Sequence, residues 1–161
     1  VENENLGRRI NVKKAFVLMI VIMVLLAVCK DVFANSWITL DYPGAIRSKP
    51  KAIDGSNIVG HYYDGDEHGF LYDGTNWTTL DYPGATQTEV HGIDGSNIVG
   101  AYYDASDPHG SFYDGTNWTA IGYPGSVYGR AYGIDGSNIV GYYYDGSAWR
   151  GFLYAPTAPS L

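Results

Sequence analysis

Across residues 37–154 apolar and polar positions alternate in short runs, broken by Asp-Gly and Pro-Gly. Between residues 88 and 123 the runs are Thr88–Ile93, Asn97–Asp104, His109–Asp114 and Trp118–Tyr123. Each has strand length and carries the β-branched and aromatic residues that strands favour. No window there longer than about ten residues keeps the 3.6-residue period of an amphipathic helix. The spacing predicts four short antiparallel strands. The joints at Asp94-Gly95 and Asp114-Gly115 read as tight hairpins, because Asp-Gly tolerates the positive φ of a type I′ turn. In Ile98-Val99-Gly100-Ala101-Tyr102-Tyr103 both alternating sets are apolar or aromatic. A sheet with one wet face alternates apolar with polar, so this strand belongs to a sheet covered on both sides.

The same pattern recurs. Asp54 to Gly60 reappears as Asp94 to Gly100 and as Asp135 to Gly141, offsets of 40 and 41. Asp41-Tyr42-Pro43-Gly44 returns at Asp81 to Gly84 and, with Gly122 in place of Asp, at Gly122 to Gly125. Tyr72 to Trp77 returns as Tyr113 to Trp118. A period near 40 is that of solenoids and propellers. The expected fold is all-β: three four-stranded antiparallel repeats, about 37–76, 77–117 and 118–154, stacked like propeller blades. Trp37–Tyr42 reads as a fourth strand without its first three, and Gly151–Tyr154 as a third strand without a fourth. The first is expected to pair with Phe152–Tyr154, because open edges invite aggregation. Known propellers have about 4–8 blades, so a closed three-blade body, an open arc and a ring completed by a second copy of the chain all stand open.

These elements resemble the HAF-type extracellular repeats of bacteria. The family's Thr-hydrophobic-Asp-x-Pro-Gly-Ala element is matched by Thr39 to Ala45 and Thr79 to Ala85. Its Gly-Ile-Asx element with Ile-Val-Gly is matched by Ile53 to Gly60 and Gly92 to Gly100, and its His-Ala/Gly-Phe-Leu-Tyr element by His68 to Tyr72. The chain departs at Arg150, where His68 and His109 stand in the other copies, at Ser111 for Phe and at Gly122 for Asp. The resemblance spans residues 37–154. It implies an exported bacterial repeat protein and brings no catalytic residue set with it.

Charge changes the picture at the N-terminus. Residues 1–34 hold Arg8, Arg9, Lys13, Lys14 and Lys30 against Glu2, Glu4 and Asp31, a net of +2, which leaves −9 on the remainder of a chain of net −7. Basic residues precede an uncharged apolar run from Ala15 to Cys29, the order of a secretory signal. At 15 residues the run is shorter than the ~20 of a spanning helix. Val32-Phe33-Ala34 fits a cut after Ala34, which gives a leader of 1–34 and a body of 35–161. Leu26-Ala27-Val28-Cys29 gives a second reading, a lipobox with lipid on Cys29, and an uncleaved anchor gives a third. The membrane is expected to matter only through this leader. Cys29 is the single cysteine, so the body holds no disulfide and no thiolate metal cluster.

Composition narrows the function classes. The acidic body excludes a nucleic-acid backbone as partner, and 45% hydrophobic residues exclude global disorder. Glycosidase chemistry needs two opposed carboxylates, and the body holds only Glu67 and Glu89 besides its aspartates. Most aspartates sit in turns, where the side chain caps its own backbone. There is no nucleophile elbow, His-x-x-x-His pair or phosphate loop. Asp64-Gly65-Asp66-Glu67-His68 reads as a solvated acidic turn, since calcium needs six to eight oxygen ligands and the later copies do not keep the pattern. No enzyme activity and no cofactor are expected.

Comparing copies sorts the remaining residues. Gly60, Gly100 and Gly141 recur, and read as bulges or close approaches. Tyr62, Tyr102 and Tyr143, then Tyr63, Tyr103 and Tyr144, with Trp37, Trp77 and Trp118, read as packing. The ligand candidates are residues that do not recur: His61 (Ala101 and Tyr142 elsewhere), His91 (Lys51 and Tyr132), Tyr128 (Arg47 and Gln87), and Trp149 with Arg150, in a segment read as a loop. Aromatic rings beside polar groups suit sugar rings, so a neutral glycan is the expected partner. A carboxylate- or metal-dependent hydrolase of extracellular polysaccharide and a purely structural matrix element are the alternatives.

Overall fold

A computed structural model of the protein describes residues 16–20, 36–105 and 107–156. The chain divides into two compact units, Val1–Thr39 and Leu40–Leu161. In the first, residues 16–20 are helical. The rest of the expected leader, the cut after Ala34 and Cys29 lie outside the described residues. No helix among the described residues is long and apolar enough to cross a membrane.

The second unit is all-β. Sheet 1 holds β1 (Arg47–Asp54), β2 (Asn57–Tyr63), β3 (Glu67–Tyr72) and β4 (Trp77–Leu80) in that order. Sheet 2 holds β5 (Gln87–Asp94), β6 (Asn97–Asp104), β7 (Asp107–Tyr113) and β8 (Trp118–Ile121). Sheet 3 has three strands, β9 (Tyr128–Asp135), β10 (Asn138–Tyr144) and β11 (Trp149–Tyr154), with β10 in the middle. Every pairing is antiparallel. The expected strands of the middle copy are all present, with ends shifted by one or two residues.

Sheet 2 lies between the other two, as the two apolar faces of β6 require. One joint buries Val59 and Leu80 of sheet 1 against Val90 and Ile98 of sheet 2. The next buries Val99 of sheet 2 against Ala131 and Ile139 of sheet 3. These are corresponding residues of successive repeats, so a single packing solution is used twice. The three sheets form no closed barrel.

Three expectations are corrected. Residues 36–42 form no strand, and β11 is laddered to β10 alone. The pairing of Trp37–Tyr42 with Phe152–Tyr154 is therefore not made. Trp37 is 98% exposed, unlike Trp77 and Trp118. The same Trp-x-Thr-Leu sequence becomes a strand at β4, where β3 supplies a ladder. The second correction concerns turns. Asp94 pairs with Asn97, so Gly95-Ser96 is the central pair, and only Gly95 has positive φ, +60°. This is the pattern of a type II′ turn, with Gly in first place, rather than type I′. The joint at Asp114-Gly115 is a four-residue loop, closed by the Asp114 amide on the Asn117 carbonyl at 3.1 Å.

The third correction concerns aspartate. Asp73, Asp114 and Asp145 do cap their own turns, each accepting two backbone amides two and three residues on. Asp54 and Asp94 do something else. Asp54 Oδ2 accepts the amide of Gly95 at 2.7 Å, and Asp94 Oδ2 accepts the amide of Gly136. Each side chain staples its own hairpin to the corresponding hairpin of the next sheet.

The Tyr-Pro-Gly element has a mechanical role. In its first copy the Ala45 amide closes on the Tyr42 carbonyl at 3.1 Å, with Gly44 at φ +84°. Pro at the second position and a positive-φ Gly at the third make a type II turn. The turn lays Tyr42 flat on Tyr62, ring centroids 3.8 Å apart. Tyr82 on Tyr102 and Tyr123 on Tyr143 repeat the stack at 3.8 and 4.2 Å. Trp77 and Trp118 pack edge-on against Tyr42 and Tyr82. The recurring tyrosines, with these two tryptophans, are thus packing residues.

Candidate functional site

The first strand of each sheet carries one extra residue. Register shifts fall between Pro50 and Ala52, between Val90 and Gly92, and opposite Val140 and Gly141, between Ala131 and Gly133. The bulged residues are Lys51, His91 and Tyr132, which is the variable position of the repeat. The recurring glycine faces each bulge. A Cβ on Gly60, Gly100 or Gly141 would overlap the carbonyl oxygen of Lys49, Glu89 or Arg130 respectively. The glycine is invariant across copies because the partner strand bends into it. The bulge in turn re-aims one side chain out of the pleat. The fold thus presents one freely chosen residue per sheet on a fixed scaffold.

Those residues meet their neighbours in a row of rings. His61 of β2 lies edge-on to His91, centroids 6.3 Å apart. His91 is stacked on Tyr132 of sheet 3 at 4.4 Å and 5°. Tyr132 stacks on Tyr142 at 5.2 Å, and Tyr142 meets Trp149 edge-on at 5.1 Å. Trp149 packs on Tyr144 at 5.3 Å, and Tyr144 on Tyr128 at 6.0 Å. The row is buried at His61 and His91, 3% and 9% exposed, and most open at Tyr132 and Trp149, 39% and 57% exposed. An open cleft of about 320 Å³ at its exposed end is lined by Tyr142, Trp149, Arg150 and Gly151.

Four of the five residues singled out in the sequence therefore lie in one row: His61, His91, Tyr128 and Trp149. Arg150 differs. It pairs across the ladder with Tyr143, whereas Trp149 pairs with Tyr144, so their side chains leave opposite faces of the sheet. The Arg150 guanidinium is engaged by Asp145. Trp149 and Arg150 also belong to strand β11 and not to a loop.

Charge accompanies the rings. His91 Nδ1 donates to the Ala131 carbonyl at 2.8 Å, and its Nε2 lies 3.4 Å from Glu89. Arg130 reaches Glu89 at 3.9 Å and donates to the Tyr103 hydroxyl at 2.6 Å. Hydrogen bonding to His91, reinforced by Arg130, holds Glu89 down to about 2 from its ordinary 4.5. Burial pushes Tyr103 up to about 12. Burial also moves His61 below its ordinary 6.5, against the pull of Glu89 and Glu67. His61 Nδ1 and Glu67 Oε2 are buried without a protein partner. Glu67 Oε1 is engaged by Arg47, with Lys49 at 3.6 Å.

Glu89, Arg130, Tyr132 and Tyr142 complete the site but were not among the candidates chosen from sequence. A signal existed: Lys49, Glu89 and Arg130 occupy one repeat position with three different residues. The acidic turn does not act as a unit. Glu67 turns to Arg47, while His68 lies 3.5 Å from Asp64 and 2.9 Å from Asp81. Among the described residues, no group of three or more His, Cys, Asp or Glu side chains is arranged to hold a metal ion.

Another cleft lies elsewhere. It measures about 450 Å³ and is lined by Phe112, Ile121, Ile139 and Tyr154 between sheets 2 and 3. A cleft of about 370 Å³ lined by the corresponding Leu71, Leu80, Ile98 and Tyr113 opens between sheets 1 and 2. A feature that recurs at every joint belongs to the way sheets stack, so the non-recurring aromatic row is the better candidate. No protein-family model, no curated protein and no solved structure matches this chain.

Proposed function

We propose that the chain is an exported, non-enzymatic repeat protein of the HAF type, built like part of a propeller, whose aromatic row binds neutral glycan at the cell surface. One observation carries this reading. Apart from Tyr144, which recurs as Tyr63 and Tyr103, the row from His61 to Tyr128 is made of residues that do not recur between copies, whereas the stacked tyrosines of the Tyr-Pro-Gly turns do. Exposed Trp149 and Tyr132 offer flat apolar faces for sugar rings, and neighbouring hydroxyls and charged groups offer hydrogen bonds to sugar hydroxyls. The net charge of −9 on the body favours a neutral over an anionic polymer. The N-terminal basic-then-apolar segment supports export, by cleavage after Ala34 or by attachment through the apolar run or Cys29.

Glu89 does not fit the general-acid role that the hydrolase alternative needs. A general acid is tuned upward, toward the working pH, and Glu89 is tuned the other way. A glycan array followed by titration is the test. A neutral polysaccharide that binds saturably, more tightly than its monosaccharide and with little salt dependence, supports the reading. No saturable binding to any neutral glycan ends it and leaves the structural matrix element in its place.

A further inference from the structure

The two outer sheets expose the halves of a joint that the chain makes twice inside itself. On the side sheet 1 turns outward, Ile53 is 66% exposed, whereas the corresponding Ile93 and Ile134 are partly buried and packed on the core. On the outward side of sheet 3, Val140 is 49% and Leu153 66% exposed. Their counterparts Val59 and Val99 are fully buried, and Leu71 and Phe112 pack on the two cores. The polar staple is divided in the same way. Asp54 and Asp94 each hold the hairpin glycine of the following sheet. Among the described residues, Asp135 stands at that position with no such sheet after it, and Gly55 with no such aspartate before it.

The ladder is divided as well. Tyr72 pairs with Trp77 and Gly69 with Leu80, and the pairing of Tyr113 with Trp118 and Gly110 with Ile121 repeats that register. Carried one repeat on, the rule sets Tyr154 against a Trp37 and Gly151 against a Leu40. The edge of β11 is open, and Trp37 and Ile38 are 98% and 79% exposed.

We propose that the chain stacks head to tail on a second copy of itself: sheet 3 of one copy receives sheet 1 of the next. Val140 and Leu153 then cover Ile53 and its neighbours. Asp135 accepts the Gly55 amide of the second copy, and that copy's Trp37–Leu40 adds the fourth strand to β11. The argument is continuity. Apolar face, staple and ladder register all match one interface already formed between sheets 1 and 2 and between sheets 2 and 3. Such a contact is heterologous, so it yields a ring if the rotation closes and a filament if it does not.

Sedimentation velocity on the full chain, in mild non-ionic detergent because of the apolar leader, tests this with Ile53→Glu and Val140→Glu. Both positions are exposed, and unchanged circular dichroism confirms that each variant folds. The wild-type chain is expected to associate with increasing concentration. Either variant alone blocks one face of every molecule and weakens association at least about tenfold. An equimolar mixture restores one good joint, from the tail of the Ile53→Glu chain to the head of the Val140→Glu chain, and stops at a dimer. Three results overturn the proposal: a wild-type chain that stays monomeric, association untouched by both variants, or loss with Val140→Glu but not Ile53→Glu. The last would mean a tail-to-tail contact, and the second association through the leader or another surface.

Discussion

His91 Nε2 lies 3.4 Å from the carboxylate of Glu89 on the same strand, and the two residues flank the start of a bulge. The pair couples stability to pH. Glu89 sits at about 2 when folded against an ordinary 4.5, so its contribution is complete above pH 4.5 and is lost as pH falls toward 2. His61 is lowered from 6.5 by burial, so the unfolded chain takes up that proton first and stability begins to fall below pH 6.5. Denaturant midpoints at about pH 7, 5 and 3 should therefore decrease in that order, with Glu89→Gln removing part of the drop between the last two and the lowered carboxyls of Asp73, Asp114 and Asp145 sharing in the rest. A midpoint that rises on acidification would contradict the assignment.

The bulge makes a prediction about Gly100. A methyl group there meets the Glu89 carbonyl oxygen in the buried middle of β6. Gly100→Ala should cost about 3 kcal/mol, at the upper end of overpacking effects. Calorimetry should show Tm falling by roughly 10 °C. A fall of only a degree or two would mean that the bulge relaxes freely.

The staple between sheets is testable at Asp94. Asp94→Ala leaves its own turn intact, because Gly95 and not the carboxylate shapes it, but removes the acceptor for Gly136. We expect a loss of about 1–2 kcal/mol, the range of a charge-assisted bond that is partly exposed. Asp94→Asn should recover about half. Amide exchange at Gly136 should speed up in the alanine variant and not at Gly95.

Binding at the row is read out at its exposed end. Trp149→Ala should weaken binding of a neutral polysaccharide about tenfold or more while leaving Tm within a few degrees, since the ring is more than half exposed. His61→Ala is a poorer probe. At 3% exposure that side chain belongs to the interior, and its loss should lower stability along with any binding.

Much of the fold was legible in the sequence because it is written three times. The Tyr-Pro-Gly turns, the hairpin strands and the sheet between two sheets follow from local chemistry and from apolar faces on Ile98 to Tyr103. What was not legible depends on neighbours. Trp37–Leu40 reads as a strand, but a strand is a ladder and needs a partner. Asp54 and Asp94 look like self-capping turn residues, and only the stacking distance between sheets shows that they reach across. His91 looked like a ligand residue because it varies. Its variation has a backbone cause as well, since the bulge turns the side chain out of the pleat, where Lys51 and Tyr132 are exposed and His91 is buried against Tyr132.

Sheet and repeat are out of step by one strand. The unit 77–117 opens with β4, which belongs to sheet 1, and then builds the first three strands of sheet 2. Neighbouring units are therefore interlocked like roof tiles, each nailed through the edge of the one before. Insertion or removal of one whole unit leaves every sheet but the last with four strands drawn from two successive units. Such a chain can lengthen or shorten by single units without inventing a new joint. The variable bulge position then gives each added unit one residue on which to differ.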